Sequence, residues 1–373
     1  MSTRFLVSAA CTLLALGVPA LASGTASRSL ADGGRAVTSP SSTTGCWSAT
    51  ASMATARRTA TATRLANGRV LVVGGAEVST AELYDQPTGT WLPAGALSEP
   101  AGLLVAVRLA DGRVLVAGGG WYSARAEIYN PATNSWTRTG SMNVGRISFT
   151  GTLLRDGRVL VVGGNSLGGV QASAELYNPA TGRWTLTGSL RTPRRDHTAT
   201  LLPDGTVLVA GGANSSGWPR NAELFDPGRG RWERAGTMIT GREGAGAALL
   251  GTGRVLLAGG GNPNGLAGDS AELFDPASRS WSATGSMTAP HGGPAVLLQD
   301  GRVLVAGGGT GDVYSPVTGT WTATGPMVYP YASAAAALLP NGQVLYAAGR
   351  QIRYCGLYVC DDPLADAELY TPE

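Results

Sequence analysis

The chain has 373 residues, a formal net charge of +3 at pH 7 and 14% charged residues. All 28 of its basic residues are arginine, which excludes Schiff-base lysine chemistry and a Walker-type phosphate lysine. The charges are sparse and of interspersed sign, so no basic stripe points to nucleic acid.

Residues 1–22 are expected to be a secretory signal peptide. Arg4 supplies a charged n-region, Phe5–Ala20 an apolar h-region, and Ala20-Leu21-Ala22 a cleavage site of the A-x-A kind. Cys11 lies inside the h-region, with apolar residues after it, so it does not read as a lipid-attachment cysteine. Residues 23–45 are rich in Ser, Thr, Gly and Ala; they lack the apolar mass for a core and read as a flexible lead-in. No other run is apolar enough to span a bilayer. The expected location is secreted, cell-surface or periplasmic.

From residue 46 to 373 one pattern repeats. Asp111–Gly119 reads DGRVLVAGG, and near-copies run over Asn67–Gly75, Asp156–Gly164, Asp204–Gly212, Thr252–Gly260, Asp300–Gly308 and Asn341–Gly349. Each copy opens on a tight turn, usually Asp-Gly or Asn-Gly. An apolar β-branched run follows, suited to a strand buried on both faces. A Gly-Gly pair, or Ala-Gly in the last copy, closes it. The period is in the mid-forties of residues, the range of propeller blades. A second marker follows each copy: AELYD from Ala81, AEIYN from Ala126, and their counterparts to AELYT from Ala367. Then comes a turn and a Trp. Tyr84 and Trp91, Tyr129 and Trp136, Phe225 and Trp232 all share one spacing, which sets two rings opposite each other across a hairpin. A segment such as HTATLL (His197–Leu202) precedes each turn. One unit is therefore four antiparallel strands, a to d.

The Gly-Gly pair, the aromatic and the spaced Trp resemble the kelch repeat. The fuller pattern is similar to bacterial kelch proteins related to the propeller domain of galactose oxidase. The resemblance implies an all-β, seven-bladed kelch-type β-propeller. The last unit ends at Pro372 without a Trp strand, whereas CWSATASM (Cys46–Met53) is a Trp strand with no unit before it. The N-terminal strand is expected to complete the last blade, so that no sheet edge stays open.

In such a blade the a–b and c–d turns share one rim, and the b–c and d–a connections share the other. The second rim is the variable one, from Gly120–Arg125 to the long Arg350–Asp366, and function is expected there. Residues repeated in every blade are expected to be structural: the Trp series, the Gly-Gly pairs and the Glu series Glu82, Glu127, Glu175, Glu223, Glu272 and Glu368, with Asp312 in the sixth unit. Four of these, Glu82, Glu175, Glu223 and Glu272, are expected to bond an Arg that recurs at the start of strand a (Arg57, Arg146, Arg194, Arg242), in their own or an adjacent blade, and backbone amides are expected to serve the blades that lack it. The asymmetric residues form the candidate ligand site: Trp121, Tyr122, Trp218, Arg220, His291, Tyr329, Tyr331, Arg353, Tyr354 and Tyr358, with Asp361 and Asp362. Aromatics with Arg and Asp suit sugar stacking or a protein hot spot.

The leading expectation is a monomeric, non-enzymatic binding module for an extracellular protein or polysaccharide, with no cofactor, no metal and no catalytic residues. The alternatives are a galactose oxidase-like copper enzyme and a structural cell-surface protein. Galactose oxidase holds copper with two Tyr and two His, one Tyr being cross-linked to Cys. Here the histidines are His197 and His291 alone, with no adjacent Tyr-His pair, so that ligand set is incomplete. Cys355 and Cys360 share one rim loop and are the expected disulfide. Cys46 begins strand d at the opposite rim, a strand length away, and is expected to be free.

Overall fold

A computed structural model describes residues 44–262, 268–355 and 358–373, side chains excepted at 352–361. The signal peptide and nearly all of the lead-in lie outside the described residues. Among the described residues are seven four-stranded antiparallel sheets and two short hairpins. Blade 2 shows the plan: strand a is Val105–Arg108, b is Val114–Ala117, c is Ala126–Asn130 and d is Ser135–Arg138.

The burial of strand b follows from stacking. Every residue of Val70–Val73, Val114–Ala117 and Val159–Val162 is buried, because each blade has a neighbour on both faces. Leu71 and Val73 of blade 1 pack with Val114 and Val116 of blade 2, while Val70 and Val72 pack with blade 7. The apolar core is accordingly seven clusters, one per interface between blades.

The turn that opens each repeat differs in kind from a two-residue hairpin. In blade 2 Leu109 N bonds Arg113 O and Gly112 N bonds Leu109 O, which makes a three-residue loop. Only Gly112 takes a left-handed backbone, at φ 88°, while Asp111 Oδ1 accepts the Arg113 N–H.

The aromatic pairs lie in register. Tyr129 faces Trp136 and Phe225 faces Trp232, and the ring centroids of all seven pairs are 4.9–5.2 Å apart. Each Trp also reaches the preceding blade. Trp136 Nε1 donates to Ala94 O, Trp184 to Gly140 O, Trp232 to Gly188 O and Trp47 to Thr324 Oγ1.

The ring closes as the sequence implies. Blade 7 is built from Ala335–Leu338, Val344–Ala347, Ala367–Pro372 and the N-terminal strand Gly45–Ala49. Trp47 pairs with Tyr370, and their rings lie 5.1 Å apart. Cys46, in the same strand, is disulfide-bonded, contrary to the expectation of a free thiol. Its side chain is half-buried on an edge strand, where a second sulfur can reach it; the side chain of its partner lies outside the described ones. The proposed Cys355–Cys360 bridge also lies outside them.

Removing residues 46–53 would bare strand c of blade 7 and strip Trp47 from its interface. The expected outcome is aggregation on size-exclusion chromatography and loss of the cooperative thermal transition. A monomer with an unchanged Tm would contradict the closure.

Candidate functional site

One residue position per blade organises the variable rim. It lies just before strand a, and in blades 1, 3, 4 and 5 it is Arg57, Arg146, Arg194 and Arg242, all fully buried. Each guanidinium pairs with the Glu of its own blade: Arg57 with Glu82 at 2.9 Å, Arg146 with Glu175 at 2.8 Å, Arg194 with Glu223 at 3.4 Å and Arg242 with Glu272 at 2.9 Å. Burial pulls Arg146, Arg194 and Arg242 below the usual arginine value, and the paired Glu opposes the shift. The other donors reach backbone. Arg146 Nη1 donates to Gly163 O at 2.8 Å and to Ser173 O at 3.0 Å.

The Glu carboxylates accept backbone amides as well, including in blades that have the Arg. Glu175 takes the Asn143 and Val144 N–H groups, and Glu223 takes those of Arg191 and Thr192. Amides serve the carboxylate in the blades that lack the Arg, as expected, and in the Arg-bearing blades as well. A carboxylate offers about four lone-pair positions, so one guanidinium does not exhaust it.

The backbone of the same position joins neighbouring blades. The second Gly of each pair, in the blade before, donates to its carbonyl: Gly75 N to Ala101 O, Gly119 to Arg146, Gly164 to Arg194, Gly212 to Arg242, Gly260 to His291, Gly308 to Tyr331 and Gly349 to Arg57, at 2.7–3.0 Å. The first Gly leaves room for that approach. A Cβ at Gly163 would stand 2.5 Å from Arg194 O.

Three blades depart from the Arg. In blade 6 His291 replaces it, 2% exposed, with Nδ1 on Gly307 O at 3.1 Å and Nε2 on Asp312 at 2.8 Å. Burial would raise Asp312, but bonds from His291 and Thr288 outweigh it and hold the carboxyl below its usual value. In blade 7 Tyr331 replaces the Arg and is fully buried. Burial without a guanidinium pushes Glu368 up to about 7 against the amides of Val328 and Tyr329. In blade 2 the position is Ala101, whose side chain ends at Cβ.

A cleft of about 740 Å³ opens at that point, between blades 1 and 2. Ala101, Leu103, Val116, Gly118, Trp121, Tyr122, Arg125 and Glu127 help to line it. Trp121 is 96% exposed at its mouth, and Arg125 pairs with Glu99 beside it. Tyr122 holds a left-handed backbone at φ 55°.

The remaining sequence candidates do not gather here. Trp218 and Arg220 belong to blade 4, where Arg220 Nε donates to Met238 O at 2.8 Å and ties down its own loop. Tyr329 packs at a tilt against Tyr331 in blade 7, the ring centroids 5.8 Å apart. His291 is inside blade 6. The side chains of Arg353, Tyr354, Tyr358 and Asp361 lie outside the described residues; their backbone forms a hairpin, Arg350–Cys355 with Tyr358–Pro363. Asp362 sits in that hairpin as well. Sequence reasoning placed Glu127 among the structural residues and missed Ser98 and Ala101. The signal was that, of the three repeats without the Arg, one carries only an Ala in its place.

Residues 103–143 match the family model of the Kelch motif. That stretch covers blade 2 and runs into the connection to blade 3, and its pattern recurs around the ring: the chain is a seven-bladed β-propeller that carries the Kelch motif. Among solved structures it is similar to a copper-bound fungal alcohol oxidase of the AA5 family, at 20% identity and TM-score 0.73, covering 88% of this chain and 76% of the oxidase. It is also similar to YjhT, at 16% identity and TM-score 0.59, covering 74% of this chain and 99% of YjhT. Both likenesses are of fold. No curated protein matches.

The oxidase raises the question of copper. His197 Nε2 of blade 4 is bonded to Thr150 of blade 3 at 2.9 Å, and both nitrogens of His291 are engaged in blade 6. Two imidazoles so placed do not converge on one ion, and the donor set does not fit an oxidase-type copper centre.

Two outcomes test these anchors. Glu223→Ala should destabilise the fold by about 3–5 kcal/mol, since it strands a buried Arg, whereas Glu127→Ala should cost about 1 kcal/mol because it strands none. Denaturant melts measure both, and equal losses would contradict the pairing scheme. For Glu368 the folded value lies above the unfolded one, so the folded state takes up a proton first. Its share of stability is present below about pH 4.5 and is lost as pH rises through about 7. Glu368→Gln should flatten the fall of Tm across that window and raise Tm at pH 8.

Proposed function

We propose that this protein is a secreted, non-enzymatic binding module that takes an extracellular partner on its b–c and d–a rim, at the cleft between blades 1 and 2. The observation that carries this reading is Trp121. A tryptophan 96% exposed costs the free protein solubility, and it stands at the mouth of an apolar-walled cleft. The sequence left a protein and a polysaccharide both open. The mixed charge of the lining, with Glu99, Arg125 and Glu127 beside Leu103 and Val116, favours a protein partner. The secretory reading of residues 1–22 supports an extracellular encounter.

The rest of the rim is suited to support this role. Its connections sit on blades locked by buried ion pairs, which presents loops on a rigid base. An exposed aromatic beside a desolvated pocket is the usual make-up of a binding hot spot.

The test is capture from the native cell envelope on immobilised protein, beside a glycan array. Trp121→Ala should weaken retention of the partner by about tenfold or more while leaving Tm unchanged. Retention unaffected by Trp121→Ala would contradict the reading, and a hit confined to the glycan array would exchange the protein partner for a polysaccharide.

A further inference from the structure

The four Arg-bearing blades show how this fold receives a guanidinium. In blade 1 Arg57 donates to Gly74 O, Thr80 O and Glu82; in blade 3 Arg146 donates to Gly163 O, Ser173 O and Glu175; in blade 5 Arg242 donates to Gly259 O, Ser270 O and Glu272. The three acceptors are the first Gly of the pair, the residue just before the Ala of strand c, and the Glu that follows that Ala.

Blade 2 keeps that acceptor set and lacks the donor. Its counterparts are Gly118 O, Arg125 O and Glu127. The backbone places them alike: Gly118 N donates to Arg125 O at 2.9 Å, as Gly163 N does to Ser173 O at 3.0 Å. The anchor position is also in place, because Gly75 N reaches Ala101 O at 3.0 Å as Gly119 N reaches Arg146 O. Only the side chain differs. What an arginine fills elsewhere is here part of the cleft, which Ala101, Gly118, Arg125 and Glu127 all line.

The carboxylate is held ready. Glu127 is 8% exposed, and among the described residues its donors are Ser98 N at 3.0 Å and Ser98 Oγ at 2.7 Å, both on Oε1. Glu82, Glu175, Glu223 and Glu272 each accept two backbone amides and an Arg, so Glu127 has unused capacity. The lining also carries Glu77 and Glu99 against the single cation Arg125, which favours a positive ligand. Trp121 and Tyr122 offer faces on which a planar guanidinium or its stem can lie.

We infer that the cleft binds the side chain of an arginine presented by the protein partner, with Glu127, Gly118 O and Arg125 O taking the guanidinium that each Arg-bearing blade supplies for itself. This assignment rests on the reading of the rim as the partner site.

The probe is N-acetyl-L-arginine amide, titrated into the folded protein by calorimetry, with N-acetyl-L-citrulline amide as its neutral isostere. Arginine amide should bind at least tenfold more tightly than citrulline amide, and Glu127→Gln should remove that preference. Ala101→Arg should raise Tm, as a fifth internal anchor, and abolish binding of the probe. Equal affinity for the two amides, or an Ala101→Arg protein of raised Tm that still binds arginine amide, would overturn the assignment. If Ala101→Arg does not fold, the Glu127→Gln titration decides alone. Absence of arginine binding with Trp121-dependent partner capture intact would overturn the arginine assignment and leave the rim reading standing; loss of both would take the rim reading with it.

Discussion

The structure depends on one backbone position per blade that bonds in two directions. Its carbonyl accepts the N–H of the second Gly of the preceding blade, all the way round to Gly349 and Arg57. In four blades its side chain is a fully buried Arg on the Glu of its own blade. One contact stitches blades together and the other stiffens the blade. A buried ion pair contributes little net stability over apolar packing, but breaking one partner is costly, so the pairs fix geometry more than they add free energy. The apolar clusters between blades supply the bulk of the stability.

Repetition makes the exceptions informative. His291 with Asp312 keeps a bonded pair in place of Arg and Glu. Tyr331 fills the space with an aromatic and leaves Glu368 with its raised pKa. Ala101 does neither, and there the cleft opens. The fold thus makes a pocket by omitting one side chain from a repeated device, while the backbone that would have carried it stays in register.

Much of the architecture was legible because repetition reports it several times over. The β-branched run, the aromatic-to-Trp spacing and the orphan Trp47 strand specify seven blades and their closure, and the Arg that recurs at the start of strand a, ten residues before the turn, pointed to the Arg–Glu pairs. The site was harder to read. Sequence reasoning looked for distinctive residues that were present, and so found Trp121 and Tyr122. Ala101 is an ordinary residue whose meaning lies in what the other blades carry. His291 was read as a rim candidate because it falls one residue off the Arg spacing; in the fold it is a buried anchor. The oxidised state of Cys46 was missed because its place in the sequence does not say which sulfur it meets.

The central claim is that anchor side chains hold the rim and that blade 2 is the place where this hold is released. Amide hydrogen exchange resolved to single residues tests it most directly. The Gly119, Gly164 and Gly212 amides, which donate to carbonyls of buried Arg anchors, should exchange slowly and alike. The Gly75 amide, which donates to Ala101, should exchange at least tenfold faster. A Gly75 amide as protected as the other three would contradict the account, because the junction beside the cleft would then be as firmly held without an anchor side chain as with one.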